Sequence, residues 1–116
     1  MKDFGGELTY KEKKYKVVFN LNVMEKIQEE YGTVEKWGSL TDGSEKGEPD
    51  AKAVLFGLTE MVNEGIDIAN EENGTNDAFL TRKQVGRILS EVGLRNATQI
   101  MNDTVIKSTE NGEKNA

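Results

Sequence analysis

One stretch, YKVVFNLNVMEKIQEEYG at residues 15–32, constrains the fold more than any other part of the chain. Its first part places Tyr15, Val17 and Phe19 on one side of an extended segment, which is the period of a β-strand. From position 21 onward, apolar residues recur at the spacing of one helical face: Leu21, Met24, Ile27 and Tyr31. A short strand therefore leads almost directly into an amphipathic helix, and the fold has to bury one face of each.

The ends of this helix carry capping residues. Asn22 and Glu25 have the spacing of a capping box, and Asn20 is the alternative N-cap. Gly32 stands where a left-handed C-terminal cap is expected. The helix is therefore predicted to cover about residues 21–31.

A second strand is predicted before this stretch. Leu8 and Tyr10 alternate with polar neighbours, and the charged run Lys11–Lys14 separates them from Tyr15, which predicts a β-hairpin. Two strands alone are only marginally stable in water. The face with Tyr15, Val17 and Phe19 is therefore expected to pack on helices.

Helical patterns dominate the rest of the chain. A short segment carries Val34, Trp37 and Leu40, a longer helix is predicted at about residues 51–70, and Thr81 with Gln84 has capping-box spacing for another. Past a cap at Gly93, a last helix is expected to start near Asn96. The predicted fold class is α+β and mostly helical, with an N-terminal β-hairpin packed on a bundle of about four helices. Residues 1–108 form a single domain in this interpretation, and 109–116 form a disordered polar tail.

The charge and composition disfavour several classes of protein. The 116 residues carry a net charge of −6, which argues against binding to phosphates or anionic lipids. The chain lacks histidine and cysteine, so the commonest general base and the thiolate metal ligands are absent. No apolar run approaches the ~20 residues that span a bilayer. We expect a cytosolic protein that is not an enzyme and uses no cofactor.

Two sets of acidic residues are close enough in sequence to be candidate metal ligands. They are Asp42, Glu45, Glu48 and Asp50, and Glu64, Asp67, Glu71 and Glu72. Neither matches the calcium loop, which needs a glycine and a distal glutamate at fixed spacing. We interpret both sets as solvated surface and predict no metal site.

Residues 81–107 allow an alternative function. Two helices joined by a turn at Gly93 have the outline of a helix-turn-helix, which would make the chain a DNA-binding regulator. The first turns of the second helix offer Arg95, Asn96, Thr98 and Gln99 to DNA. The overall negative charge opposes phosphate contact, so we expect a plain helical hairpin and no nucleic-acid partner.

Three segments of the chain resemble the tail assembly chaperones of long-tailed bacteriophages and prophages of Gram-positive hosts. The first is the lysine-rich hairpin followed by YKVVFNLNVMEKIQEEYG, with its N-L-N helix start and its closing acidic-Tyr-Gly. The others are the central apolar helix AKAVLFGLTEMVNEGIDIAN and LTRKQVGRILSEVG, which is similar to an L-T-x-x-x-V-G-x-L helix of the family.

The resemblance implies a non-enzymatic protein of the host bacterial cytoplasm that is absent from the mature virion. Such chaperones bind the tape measure protein, keep it soluble and help to recruit tail tube subunits. We also expect self-association into a homo-oligomer, since many copies cover a long filamentous client most economically. The net negative charge predicts no nucleic-acid or membrane partner.

A chaperone of this kind needs exposed apolar side chains for its client. Four large apolar residues lie off the predicted core faces or beside loops and are the candidate contact residues: Val18, Trp37, Phe56 and Phe79. For Trp37, core or rim packing is the first interpretation and partner contact is the second. For Phe56, closure of a second packing surface and partner contact are equally open.

Overall fold

The structure, a computed structural model, describes residues 5–114. Within them lie two strands and five helices: β1 Gly5–Tyr10, β2 Lys13–Val18, α1 Leu21–Tyr31, α2 Val34–Thr41, α3 Ala51–Asn73, α4 Arg82–Val92 and α5 Leu94–Lys114. The fold is α+β and mostly helical, with a hairpin on helices, which confirms the predicted class. The short segment around Trp37 forms a helix of its own, α2, so the described chain has one helix more than the predicted four.

The hairpin has a tighter turn than its sequence predicts. β1 and β2 pair antiparallel, with Leu8 opposite Tyr15 and Tyr10 opposite Lys13. Only Lys11 and Glu12 form the turn, and both have positive φ, 50° and 67°. Two central residues with positive φ are typical of a type I′ turn, whose twist matches that of the paired strands.

One face of the hairpin packs on the helices, as expected. Leu8 and Val17 are buried on this face, and Phe19 is buried just beyond it. The edge of β2 lies against α3, where a Cβ atom at Gly65 would stand 2.6 Å from the carbonyl oxygen of Lys16. Only glycine at position 65 therefore allows this approach of helix to strand.

α3 is the centre of the fold, because it contacts β2 and each of the other four helices of the described chain. Asp50 caps its N-terminus by accepting a hydrogen bond from the Ala53 N–H at 3.0 Å. Gly74 ends it in the left-handed conformation. One hydrophobic cluster joins side chains from all seven elements around this helix.

α1 begins differently from the predicted capping box. Asn20, the alternative, is the N-cap and accepts a hydrogen bond from the Val23 N–H at 3.2 Å. Val23 and Ile27 are the buried residues of α1, whereas Leu21 is 78% exposed. The expectation that Leu21 faces the core is therefore wrong, because a period of 3.6 residues puts Leu21 about 120° around the helix from Ile27, whereas Val23 lies only about 40° from it.

The last two helices follow one another across a single residue. The capping box of Thr81 and Gln84 is present, and Gly93 ends α4 with a φ of 94°. α5 starts at Leu94, two residues before the expected start. Its backbone is helical through Lys114. The disordered tail expected over residues 109–116 stays a prediction, and positions 115–116 lie outside the described residues.

Candidate partner-binding surface

The structure separates the four candidate contact residues into two groups. Val18 is 8% exposed and Trp37 2% exposed, so both side chains are buried in this fold and do not lie on its surface. Val17, Val18 and Phe19 are all buried, because both sides of β2 are covered where it leads into α1. Trp37 belongs to the core, and its Nε1–H donates to the Ala53 carbonyl at 3.0 Å. This position agrees with the first interpretation of Trp37, core or rim packing.

Phe56 is half-buried and packs against Tyr31, as expected of a residue that closes a second packing surface. Its ring meets that of Tyr31 edge to face, with centroids 5.6 Å apart and an interplanar angle of 73°. This geometry is favourable for aromatic pairs. Phe56 therefore joins α3 to the end of α1 and leaves little of its ring for a partner.

Phe79 is the candidate that the structure places on the surface. Its side chain is 54% exposed, in the loop of residues 74–80 between α3 and α4. The neighbouring Leu80 is fixed by a reciprocal pair of hydrogen bonds: its N–H donates to Asn63 Oδ1 at 2.8 Å, and Asn63 Nδ2 donates to its carbonyl at 2.9 Å. The backbone is thus anchored one residue after Phe79.

Asn70 anchors the other side of the loop. Its Nδ2 donates to the Asp77 carbonyl at 3.0 Å, and its Oδ1 accepts from the Asp77 N–H and from the Thr75 hydroxyl, each at 2.9 Å. Two asparagines of α3 therefore supply the partners that a short exposed loop would otherwise take from water. The exposed Phe79 ring therefore lies on a loop whose backbone is hydrogen-bonded to the preceding helix, α3.

Two open grooves flank the ring. One, of about 280 Å³, lies between α1 and α3, and the other, of about 380 Å³, lies between α3 and the loop. Phe79 and Asp67 line both grooves. We call the area around them the Phe79 surface, defined by Asn22, Lys26, Glu60, Glu64, Asp67, Glu71, Asp77 and Phe79.

The Phe79 surface is strongly anionic. It holds the five carboxylates of Glu60, Glu64, Asp67, Glu71 and Asp77, and among the described residues Lys26 is the only cationic side chain that lines either groove. Glu64 Oε2 accepts hydrogen bonds from Asn20 Nδ2 at 2.7 Å and Asn22 Nδ2 at 3.0 Å. Both asparagines of the N-L-N segment thus bind α3, a role that their sequence did not indicate.

Two further large apolar side chains are exposed. Leu21 stands between the two asparagines that bind Glu64, and Ile106, 55% exposed, lies on α5. Ile106 lines a separate groove of about 420 Å³ between α5 and β1, together with Gly6, Glu7 and Thr104. Of these two, only Leu21 lies near the Phe79 surface in sequence, next to Asn22.

The acidic loop between α2 and α3 is used for local structure. Asp42 Oδ1 accepts from the Ser44 N–H at 2.8 Å. Hydrogen bonding from the Ser44 side chain, together with this backbone contact, lowers the pKa of the Asp42 carboxyl. Glu45 forms an ion pair with Lys36, and Asp50 forms one with Lys46 at 2.7 Å. In the described part of the chain, no group of three or more acidic residues is placed to hold a metal ion.

In the helix-turn-helix alternative, the second helix would be α5, and its start is partly covered. Thr98 is buried, and its hydroxyl donates to the Leu94 carbonyl at 2.8 Å. Arg95 and Gln99 line a groove whose other wall includes the carboxylates of Asp42 and Glu48. The start of α5 thus faces acidic groups of the same chain, which does not favour the DNA-binding alternative.

Comparison with known proteins identifies no relative of this chain. No family model matches this chain, and no curated protein or solved structure shows significant similarity to it. Within residues 5–114, none of the helices is both long and apolar enough to cross a bilayer.

Proposed function

We propose that this chain is a tail assembly chaperone of a long-tailed phage or prophage. It binds the tape measure protein, keeps that protein soluble and helps to recruit tail tube subunits, without catalysing a reaction. The resemblance of residues 15–32, 51–70 and 80–93 to this family supports the proposal. It acts in the host bacterial cytoplasm as a homo-oligomer and leaves before the virion is complete.

The observation that carries the proposal is the exposed, anchored ring of Phe79. An aromatic side chain that is 54% exposed keeps apolar surface in contact with water, which is unfavourable. Burial of this surface against a partner would therefore stabilise a complex. A loop that is already hydrogen-bonded at Asp77 and Leu80 has little backbone entropy left to lose on binding. An anchored aromatic residue beside grooves is the arrangement of many protein interaction sites.

Co-expression tests the proposal. A fragment of the tape measure protein from the same phage genome is produced alone or with this chain, and the soluble fragment and its copurification are measured. We expect the fragment to be insoluble alone and to be recovered in complex with the chain. An equally insoluble fragment in both cases would refute the proposed function.

Two single variants then test the surface. Phe79→Ser is expected to reduce recovery of the fragment at least fivefold, because it removes the ring and leaves the loop anchors intact. Ile106→Ser is the matched control, since Ile106 is 55% exposed and lines a separate groove beside α5. Equal loss of recovery in both variants would exclude the Phe79 surface as the site.

A further inference from the structure

We propose that the Phe79 surface binds a cationic amphipathic helix of its partner protein. The apolar stripe of that helix lies on Phe79, and its lysine and arginine side chains lie over the surrounding carboxylates. This inference rests on the proposed chaperone function and names the class of client segment that the chaperone selects.

The spacing of the carboxylates on α3 matches a docked helix. Glu60, Glu64, Asp67 and Glu71 stand at positions i, i+4, i+7 and i+11, which places them along one face of α3. At 1.5 Å per residue this row is about 16 Å long, the length of three helical turns. Basic residues at the same spacing on a second helix can therefore meet several carboxylates at once.

The position of Phe79 suits an apolar stripe. The ring lines both grooves, with Glu60 and Glu64 beside one and Glu71 and Asp77 beside the other. An apolar side chain that contacts the ring is thus flanked by negative charge on two sides. Five carboxylates against one lysine favour a cationic partner and oppose an acidic one by like-charge repulsion.

The loop argues for a helix rather than a strand. Strand addition needs free backbone N–H and carbonyl groups at the edge of the site. In residues 74–80 the N–H and carbonyl groups of both Asp77 and Leu80 are already bonded to Asn70 and Asn63. The walls of the first groove come from helices α1 and α3, so the site offers side chains to its partner.

Labelled peptides of about 20 residues test the inference by fluorescence anisotropy. One carries a helical apolar stripe flanked by lysines, the second has the same stripe flanked by glutamates, and the third has the lysines with the stripe scrambled. We expect the first to bind at least tenfold more tightly than either other peptide, and to weaken as salt is raised from 50 to 300 mM. Equal binding of the lysine and glutamate peptides would overturn the inference.

Variants locate the site. Phe79→Ser is expected to weaken binding of the lysine peptide at least tenfold, because it removes an aromatic ring that would become buried on binding. The double change Asp67→Asn and Glu71→Gln, at exposed positions, is expected to weaken it about threefold to tenfold. Asp103→Asn with Glu91→Gln, also exposed, makes the same change of charge elsewhere and should leave binding unaltered.

Other results separate this inference from the proposed function. Capture of the tape measure fragment with no binding of any peptide would overturn the cationic helix and leave the chaperone function standing. Sedimentation that shows self-association of the wild type, abolished by Phe79→Ser, together with no peptide binding, would assign the surface to a second copy of the chain instead. Failure to capture the fragment would refute the proposed function itself, whatever the peptides do.

Discussion

Gly57 of α3 packs against the indole ring of Trp37, where a Cβ atom at position 57 would stand 2.3 Å from Cζ2 of the ring. Gly57→Ala therefore forces the buried ring to move, and the hydrogen bond from Trp37 to the Ala53 carbonyl opposes that movement. Alanine gains about 1 kcal/mol in helix propensity, but overpacking costs about 1–3 kcal/mol. We expect a net loss of stability of up to about 2 kcal/mol in urea denaturation.

Gly86→Ala is the matched control for this prediction. Gly86 lies inside α4, and its added Cβ would meet no other atom within 4 Å. Here only the propensity term acts, so the variant is expected to be more stable by about 0.5–1 kcal/mol. A Gly57→Ala protein as stable as Gly86→Ala would show that the Trp37 ring is not held against α3.

These two glycines show where sequence reasoning stops. Both interrupt a helical pattern in the same way, and nothing local distinguishes Gly57 from Gly86, because the difference is a tertiary contact. Helices and hairpin could be predicted because their periods and caps are local properties of the sequence. The burial of Val18 could not, since it depends on which elements pack around the strand.

The hairpin turn offers a gain in stability. Glu12 has a φ of 67°, in the left-handed region that costs a residue with a side chain about 1 kcal/mol. Glu12→Gly removes this cost and retains Lys11, whose Nζ lies 5.3 Å from the centre of the Tyr10 ring. After the entropy that glycine adds to the unfolded chain, we expect about 0.5 kcal/mol of stabilisation in urea denaturation.

Glu12→Val is the opposite control at the same position. A β-branched side chain is poorly tolerated at positive φ, so this variant is expected to be less stable than the wild type by about 1 kcal/mol or more. If both variants unfolded at the same urea concentration, the turn at Lys11 and Glu12 would not have the positive φ angles described above.

The Tyr31 hydroxyl is buried and makes no hydrogen bond. Burial raises the pKa of this phenol, and the nearby carboxylates of Glu30 and Asp50 raise it further. A buried polar group without a partner costs about 1–3 kcal/mol. Tyr31→Phe keeps the edge-to-face contact with Phe56 and removes this cost, so we expect a variant as stable as the wild type or up to about 1 kcal/mol more stable.

Thermal unfolding and urea denaturation at pH 7 measure this effect, and Tyr31→Leu serves as the control because it also removes the aromatic contact. Tyr31→Leu is expected to lose about 1 kcal/mol or more relative to Tyr31→Phe. A clear loss of stability in Tyr31→Phe would mean that the hydroxyl has a partner, such as an ordered water molecule.

Only part of the Phe79 surface could be predicted from the sequence. Phe79 stands among polar residues with no helical stripe, so an exposed position could be predicted. The loop anchors Asn63 and Asn70 could not, because both occupy ordinary polar positions of α3 and act only through the folded loop. Of the acidic set that was interpreted as surface, Asp67, Glu71 and Glu72 are exposed and Glu64 is half-buried. The position of Glu64, Asp67 and Glu71 beside Phe79 could not be predicted, because it depends on the path of residues 74–80.

Asp50 couples the start of α3 to pH. The ion pair with Lys46 and the Ala53 N–H lower the pKa of the Asp50 carboxyl. The unfolded chain therefore binds a proton to Asp50 more readily than the native chain, so this contribution to stability is complete above about pH 5 and is lost as the pH falls through the lowered native pKa. Asp50→Asn keeps a good N-cap but removes the charge, so its stability should fall less between pH 6 and pH 3.

Urea denaturation followed by fluorescence of Trp37, the single tryptophan, measures this difference. At pH 6 we expect the wild type to be more stable than Asp50→Asn by about 0.5 kcal/mol, and more stable than Asp50→Ala, which also loses the cap, by about 1 kcal/mol or more. The first gap should narrow as the pH falls from 6 to 3. A gap to Asp50→Ala remains, because a protonated carboxyl can still accept a hydrogen bond. The other acidic groups titrate alike in all three proteins, so a gap between wild type and Asp50→Asn that stays constant from pH 6 to pH 3 would contradict the role assigned to the Asp50 charge.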